Sequence, residues 1–495
     1  MQRIHFFIII VFFQLPLYSQ NISDVVRWST MQPAGTATSL GVNNAIGAIG
    51  GDIMAASFNP AGIAEFKKSN FTFSGGFEIN DNNSFLAGDA ATTNRLRSTK
   101  FGLNNIGFVI GNYRPNKNFT SSNFAIGFSK TANFKDKILY NGKTEGTITE
   151  YFSEKANSLS VDELDDFAAF PAYNTGAIFD FDGDKNYETD FAEEDLLVKK
   201  QQNINRRGSV NELSFTWAGD YKNKFNIGIG VGIPFVNFSE EKVYIESDPD
   251  DEIATFNRLK YIEDLSITGA GFNAKIGIQA KPFSWFRIGG AFHTPTWFTL
   301  EDTYTTSLEY SYDNETNVYP GNDDDIPQLQ FKYNLSNPWK AIGSVGSVFN
   351  LGQVSGFVNF DVEYIDYVSA EYDGTAYSDA PGEIEYTNEL NRNILNSFES
   401  RTNYRLGAEL AYDTYRVRGG YYQFQSPFIN ETNKSESFSF GAGFRGEKFY
   451  LDFAIQFSEQ ASGYNAYTVT KSSRDPLVNV DKSRTLALVT MGFKL

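Results

Sequence analysis

The sequence predicts an all-β protein: a transmembrane antiparallel β-barrel of about 14 strands, plugged by an N-terminal hatch. Three observations predict it. Apolar and polar residues alternate with period two in segment after segment beyond Asn70, and the connections between these segments are short and long in turn. A run of small residues at Gly35–Phe66 comes first and contains almost nothing that could form a strand.

Composition agrees. The 495 residues include 46 Phe, 27 Tyr and 42 Gly, with 4 Met and no Cys. Phe and Tyr favour strands, and glycine suits tight turns and close backbone approach. Mean hydropathy is −0.35, a value typical of soluble chains. It does not exclude a membrane barrel, whose polar lumen residues alternate with lipid-facing ones. A net charge of −18 argues against nucleic acid as a partner. Without Cys, stability must come from ladders and packing. No Ser-His-Asp order, paired acid site, phosphate loop or Cys cluster is present, so neither an enzyme nor a cofactor is expected.

In chain order, residues 1–19 read as a signal peptide, with Arg3 before an apolar run at Ile4–Phe13 and a cleavage site at Leu17-Tyr18-Ser19. That run is too short to span a bilayer as a helix, and no later helix candidate exists, so embedding must be by strands. Residues 20–69 are expected to form the hatch and 70–495 the barrel. Within the hatch, Gly50-Gly51 and Asp52 precede Asn59-Pro60-Ala61-Gly62. An Asn cap followed by Pro opens a short helix through Ala64. Local chemistry alone leaves two readings, a lumen plug or a surface loop before the first strand.

Strands are expected near 70–79, 102–113, 122–134, 209–221, 225–238, 265–280 and 284–298, then 339–350, 354–367, 401–413, 415–424, 437–445, 447–458 and 483–495. Short turns such as Lys222-Asn223-Lys224 and Lys281-Pro282 alternate with long loops, 135–208 the longest. Short periplasmic turns and long outer loops produce this rhythm. The last strand puts Thr485, Ala487, Val489, Met491, Phe493 and Leu495 on one face, similar to the C-terminal assembly signal of outer-membrane barrels, with Leu495 in place of the usual aromatic.

Parity assigns side chains to the lumen. Gly228, Gly230 and Gly232 share that face, and interior strand glycines mark close approach of another backbone, which favours the plug. Lys275, Arg287, Arg401, Arg405, Arg416 and Arg418 also point inward. Most should pair with carboxylates such as Asp361, Glu363, Glu409 or Asp452. A cation in a partly dry cavity can instead hold a ligand carboxylate, and Arg405, Lys275 and Arg287 are the candidates. In the loops, Ser160 and Glu163 form a capping-box pattern, and Leu390, Ile394 and Phe398 recur at helical spacing. Such side chains either pack on one another or form an exposed apolar surface that catches a hydrophobic ligand. The acidic run Asp180–Asp190 departs from an EF-hand in its Gly and Glu positions, so a solvated loop competes with calcium binding. His293, facing the lumen, is either a hydrogen-bonding residue or a haem ligand.

With these residues in place, the sequence resembles the FadL family of outer-membrane transport proteins, which includes TodX-type aromatic hydrocarbon channels. The resemblance rests on Gly51-Asp52, Ala55 and Asn59-Pro60-Ala61-Gly62 at family spacing. Arg287-Ile288-Gly289, Thr294-Pro295, Pro338-Trp339, Val417-Arg418-Gly419-Gly420-Tyr421 and Ser426-Pro427 follow in order. It implies a monomeric barrel in the bacterial outer membrane, contacting lipid and lipopolysaccharide. It also implies passive uptake of long-chain fatty acids or other hydrophobic molecules. Asp52, Asn59, Pro60, Ala61 and Gly62 inherit a hatch role. A protein-binding barrel like the shuttles of type IX secretion, suggested by the acidic loop 135–208, is the alternative, and haem uptake a third.

Overall fold

The computed structural model describes residues 22–89, 92–191, 196–313, 315–320, 327–378, 380–431 and 434–495. The expected signal peptide, 1–19, lies outside them. The sheet begins with β1 (Asn70–Leu86), β2 (Asn94–Ile110), β3 (Phe119–Asn133), β4 (Asp136–Thr144), β5 (Val198–Tyr221), β6 (Phe225–Ser247), β7 (Phe256–Ala280) and β8 (Phe286–His293). Next come β9 (Trp297–Tyr312), β10 (Glu315–Tyr319), β11 (Gln328–Ser336), β12 (Lys340–Leu351), β13 (Val354–Ile365) and β14 (Glu371–Asp373). The last are β15 (Arg401–Tyr412), β16 (Tyr415–Gln425), β17 (Lys434–Arg445), β18 (Phe449–Asn465) and β19 (Leu477–Lys494). β19 returns to β1 in an antiparallel ladder from Asn70↔Lys494 to Leu86↔Val478, which closes the sheet. The closed ring has 14 strands, β1–β3, β5–β8, β12, β13 and β15–β19, with β4, β9 and β11 continuing it upward toward the long loops.

All 14 predicted segments are strands, but several run much further toward the long loops. β6 reaches Ser247 and β7 starts at Phe256. On this upper part of β5 the outward residues are Lys199, Gln201, Asn203 and Asn205, so the apolar half of the alternation disappears where the wall leaves the lipid. The predicted 284–298 strand is broken at Thr294-Pro295-Thr296, and the predicted loop 299–338 contains β9, β10 and β11. Pro295 has no N–H to give a ladder. Thr294 repairs the break, its N–H donating to Ala274 O (3.0 Å) and its Oγ1 accepting from Ala274 N (3.0 Å).

Around the lower wall the outward positions Phe73, Phe124, Ile126, Ile229, Ile276, Ile278, Phe440, Phe453 and Val489 are exposed. A continuous belt of this kind is covered by lipid. The interior is filled by three bodies. Helices α1 (Ile22–Ser29), α2 (Ala37–Leu40) and α3 (Ala55–Phe58) precede the barrel, α4 (Ile148–Ala156) and α5 (Ala169–Thr175) lie in the longest loop, and α6 (Pro381–Ser397) precedes β15. α4 and α5 pack Phe152 and Ala172 against Tyr140, Tyr244, Leu259 and Tyr310 of the upper wall. Ser160 and Glu163 do form a capping box, although it opens only a 3-10 turn. Leu390 and Ile394 of α6, with Phe398, are all buried against Trp28 of α1 and Phe238, Phe298 and Tyr333 of the wall. The loops thus turn these apolar side chains inward.

Above the belt, Lys200 of β5 is fully buried. Its ammonium donates to Thr144 O (3.0 Å), Thr144 Oγ1 (2.8 Å) and Glu145 O (2.6 Å). Glu246 beside it accepts from Ile148 N (2.9 Å), Thr147 Oγ1 (2.6 Å) and Tyr244 OH (2.7 Å), tying the start of α4 to the wall. Burial pushes Lys200 down to about 8 from its ordinary 10.5. Between those values the unfolded chain holds the extra proton, so folding gains stability as pH rises through that window. The difference in melting temperature between wild type and Lys200→Gln should therefore shift in favour of wild type from pH 7.5 to about 9.5; a pH-independent difference would refute the assignment.

Candidate functional site

The third interior body is the segment 34–66, which lies across the lower lumen. Its fold follows from a few polar side chains. Asp52 accepts from Met54 N (2.9 Å) and Thr36 Oγ1 (2.9 Å), joining the two ends of the segment's first half. Burial pushes this carboxyl up, against the pull of those donors. Asn59 accepts from Ala61 N (3.2 Å) and so caps the 3-10 turn Pro60–Glu65, which starts where predicted but is wound tighter than an α-helix. Gly50, at φ +68°, touches Gly62 so closely that a Cβ on Gly50 would lie 2.5 Å from Gly62 Cα. Only glycine fits that crossing.

Wall side chains hold this body around most of the circumference. Thr490 of β19 accepts from Ala37 N (2.6 Å), and Asp452 of β18 from Thr38 Oγ1 (2.7 Å). Asn43 donates to Ser437 O of β17 (2.8 Å), while Asp361 of β13 accepts from Gly47 N (3.3 Å). Asn59 Nδ2 reaches Ile278 O of β7 (3.2 Å), and Gln279 donates to Gly47 O (2.9 Å). Asn123 and Ser121 of β3 donate to Ile63 O (2.9 Å) and Ala64 O (2.8 Å). Of the three inward glycines of β6, Gly228 meets the same body, a Cβ there lying 2.4 Å from Ala61 N, whereas Gly230 and Gly232 make room for the wall side chains Thr216 and Glu212.

A charged layer rests above Phe58. Lys275 pairs with Glu212 (2.5 Å), which also accepts from Asn273 (2.8 Å). Arg405 pairs with Glu363 (2.9 Å) and lies over the rings of Tyr422 (4.2 Å) and Phe58 (5.5 Å). Lys340 completes the layer, 3.5 Å from Glu363. His293 sits between Lys275 and Lys340 in the ladders, its Nε2 2.9 Å from Phe58 O. Lys275 and Arg405 are thus brought together, each already facing a carboxylate. Arg287 is elsewhere, at the short-turn end, 3.2 Å from Glu65. Sequence reasoning missed Glu212 and Lys340, although the parity of their strands places both inward. In the acidic run, Asp180 caps its own turn through Gly183 N (2.9 Å) and Lys185 N (3.0 Å), and Asp190 accepts from Tyr310 OH (2.5 Å).

One part of the wall is different. β2 pairs with β3 only from Asn105↔Ser129 to Ile110↔Phe124, although both strands continue upward. Asn104 bulges out of the β1–β2 ladder at this height. Beyond it, β3 leads into β4, which turns across the inner face of β1. There, Asn80, Asn82 and Ser84 of β1 donate to the carbonyls of Lys135 (2.8 Å), Lys137 (2.7 Å) and Leu139 (2.7 Å). The ladder between β2 and β3 is therefore a seam. At its foot the hatch presents Ile53, packed on Gly107, and Met54, whose sulfur is 3.7 Å from both Asn105 Nδ2 and Ser129 Oγ.

No protein-family model and no curated protein matches the sequence. Solved structures do match. The Pseudomonas putida toluene transporter TodX is 12% identical, with a TM-score of 0.52 over 94% of this chain and 98% of that one. A Pseudomonas aeruginosa FadL homologue is 14% identical, with a TM-score of 0.52 over 94% and 99%. The Ralstonia pickettii toluene transporter TbuX is 13% identical, with a TM-score of 0.50 over 94% and 99%. The chain has the fold of these barrels.

Gly228→Ala should push the hatch off β6 at a cost of about 1–3 kcal/mol and raise ion conductance in planar bilayers. Gly343→Ala, where a Cβ meets nothing within 4 Å, should leave conductance unchanged. Asn59→Ala removes the donor to Gly47 O and Ile278 O, and should lower hatch stability by about 1–3 kcal/mol, read as faster proteolysis between Gly47 and Phe66.

Proposed function

We propose that this barrel is a bacterial outer-membrane channel for passive uptake of hydrophobic small molecules, such as long-chain fatty acids or hydrocarbons, with residues 34–66 as its gate. The observation that carries the reading is the uneven attachment of the hatch. Toward β3, β6, β7, β13 and β17–β19 it is held by directional hydrogen bonds. Toward the seam its side chains are Ile53 and the Met54 thioether, contacts that an apolar solute can replace at little cost, beside one long backbone hydrogen bond from Ala34 N to Lys130 O (3.3 Å). The fold shared with TodX, TbuX and a FadL homologue, the first two described as toluene transporters, supports the same reading.

In this scheme the monomer sits among lipid and lipopolysaccharide with its long loops outside. The two apolar bodies of the upper lumen remove a ligand from water at about 25 cal/mol per Å² of apolar area. The ligand then reaches the layer of Lys275, Lys340 and Arg405, where a carboxylate head group competes with Glu212 and Glu363. Displacement of Ile53 and Met54 opens the seam between β2 and β3. A shift of this kind needs only a few kcal/mol of differential binding. The loop 135–208 turns Phe152 and Ala172 inward to the barrel, while Asp182, Asp184 and Glu188 of its acidic run stay exposed, which keeps a protein-docking loop as the second reading; His293 is engaged with Phe58 O.

Proteoliposomes should take up long-chain fatty acids or hydrocarbons saturably. A diazirine-bearing alkyl ligand should label Ile53, Met54, Leu103 and Asn104. Entry no faster than into empty liposomes would overturn uptake, and labelling that avoids these four residues would overturn the seam.

A further inference from the structure

At the short-turn end, where the hatch finishes, a cavity of 420 Å³ opens between Glu65 and the turns Lys222–Lys224 and Lys281–Ser284. Five cations line it, Lys67, Lys222, Lys224, Lys281 and Arg287, against two carboxylates, Glu65 and Asp220. In a chain of net charge −18 this is a local reversal of sign. Apolar surface is present as well, from Pro282, Phe283 and Tyr113. Lys67 and Lys222 lie over the rings of Tyr113 (5.6 Å) and Tyr221 (5.2 Å), which hold their ammonium groups at the rim.

Glu65 is the last residue of the 3-10 turn, and its carboxylate joins hatch to wall. It meets Lys281 (2.5 Å), Arg287 (3.2 Å) and Asn226 (2.7 Å), while Lys281 also reaches Asp220 (2.7 Å). The neighbouring cations hold Glu65 below the usual carboxylate range in spite of its burial. A carboxylate is therefore already the anion that Lys281 and Arg287 bind, and the adjoining cavity offers three further lysines to a second one.

We propose that this periplasmic mouth binds the anionic head group of an alkyl-chain amphiphile, which exchanges with Glu65 for Lys281 and Arg287 and so releases the end of the hatch. The alkyl chain lies on Pro282 and Phe283, and the head group meets Lys67, Lys222 and Lys224. The head group has two sources, a carboxylate cargo or a phospholipid of the periplasmic leaflet. The inference deepens the uptake reading and rests on it for its purpose, but binding is measurable without transport.

The test is calorimetry of the full chain in neutral detergent with dodecanoate, dodecanol and phosphatidylglycerol as separate probes. Dodecanoate or phosphatidylglycerol should bind at least about tenfold tighter than dodecanol. The triple variant Lys67→Ser/Lys222→Ser/Lys224→Ser should weaken that binding about tenfold, while Lys448→Ser, outside the cavity, should not change it. Glu65→Gln removes the internal competitor and should tighten binding, a direction that a purely structural Glu65 would not give. Dodecanoate alone binding identifies cargo as the source, and phosphatidylglycerol alone identifies the leaflet. Equal binding of dodecanol, or no effect of the triple variant, overturns the site. If proteoliposome uptake is absent while this binding persists, the uptake reading fails and the anion site stands.

Discussion

Closure of the sheet is the constraint on which everything else depends. In hydrocarbon an unpaired backbone amide has no water to turn to, so a strand-built wall must satisfy all of its ladder groups by returning to its start. The β1–β19 ladder does this along the full length of β1. A ring of 14 strands is wide enough to admit water unless something fills it. The hatch, the α4–α5 body and the α1–α6 body therefore follow from closure as much as the belt does.

What fills the lower lumen is held by polar contacts as well as by apolar packing on the wall. The hatch meets wall side chains such as Asp361, Asn123, Thr490 and Asp452 through hydrogen bonds, with Gly228 allowing the backbones to touch. Hydrogen bonds of this kind are modest in net energy but costly to leave unmade. They define the position of the hatch, and apolar clusters with Val109, Ala125 and Ala218 and with Ala454, Leu486 and Leu488 of the wall add to its anchoring. The charged layer above has the same character. Lys275 with Glu212 and Arg405 with Glu363 are buried pairs whose desolvation offsets much of their attraction. The wall departs from continuous pairing at the seam, where Asn80, Asn82 and Ser84 satisfy the carbonyls of Lys135, Lys137 and Leu139 by side chain and free β3 from following β2.

Much of this was legible in the residues. Alternation located all 14 wall strands because lipid on one side and a polar lumen on the other impose opposite demands on neighbouring residues. The Asn59-Pro60 cap and the inward glycines of β6 pointed to a backbone packed inside the barrel. The upper halves of β6 and β7 were not legible, because above the lipid both wall faces accept polar side chains and the period fades. The break at Thr294-Pro295-Thr296 was also misread, since a hydroxyl repair of a ladder leaves no periodic trace.

The division is clearest at the candidate site. The sequence by itself determined the barrel, its strand number, the place of the hatch and which cations face inward, because each follows from local period, capping or parity. Tertiary structure alone decided that Lys275 faces Glu212 rather than a carboxylate of β13, and that Arg287 belongs with Glu65 at the mouth. It also decided that the loop residues Phe152, Leu390 and Ile394 line the lumen, and that β2 and β3 part above Asn105. These are contacts between segments distant in sequence, set by ring curvature and strand register, and no local pattern records either.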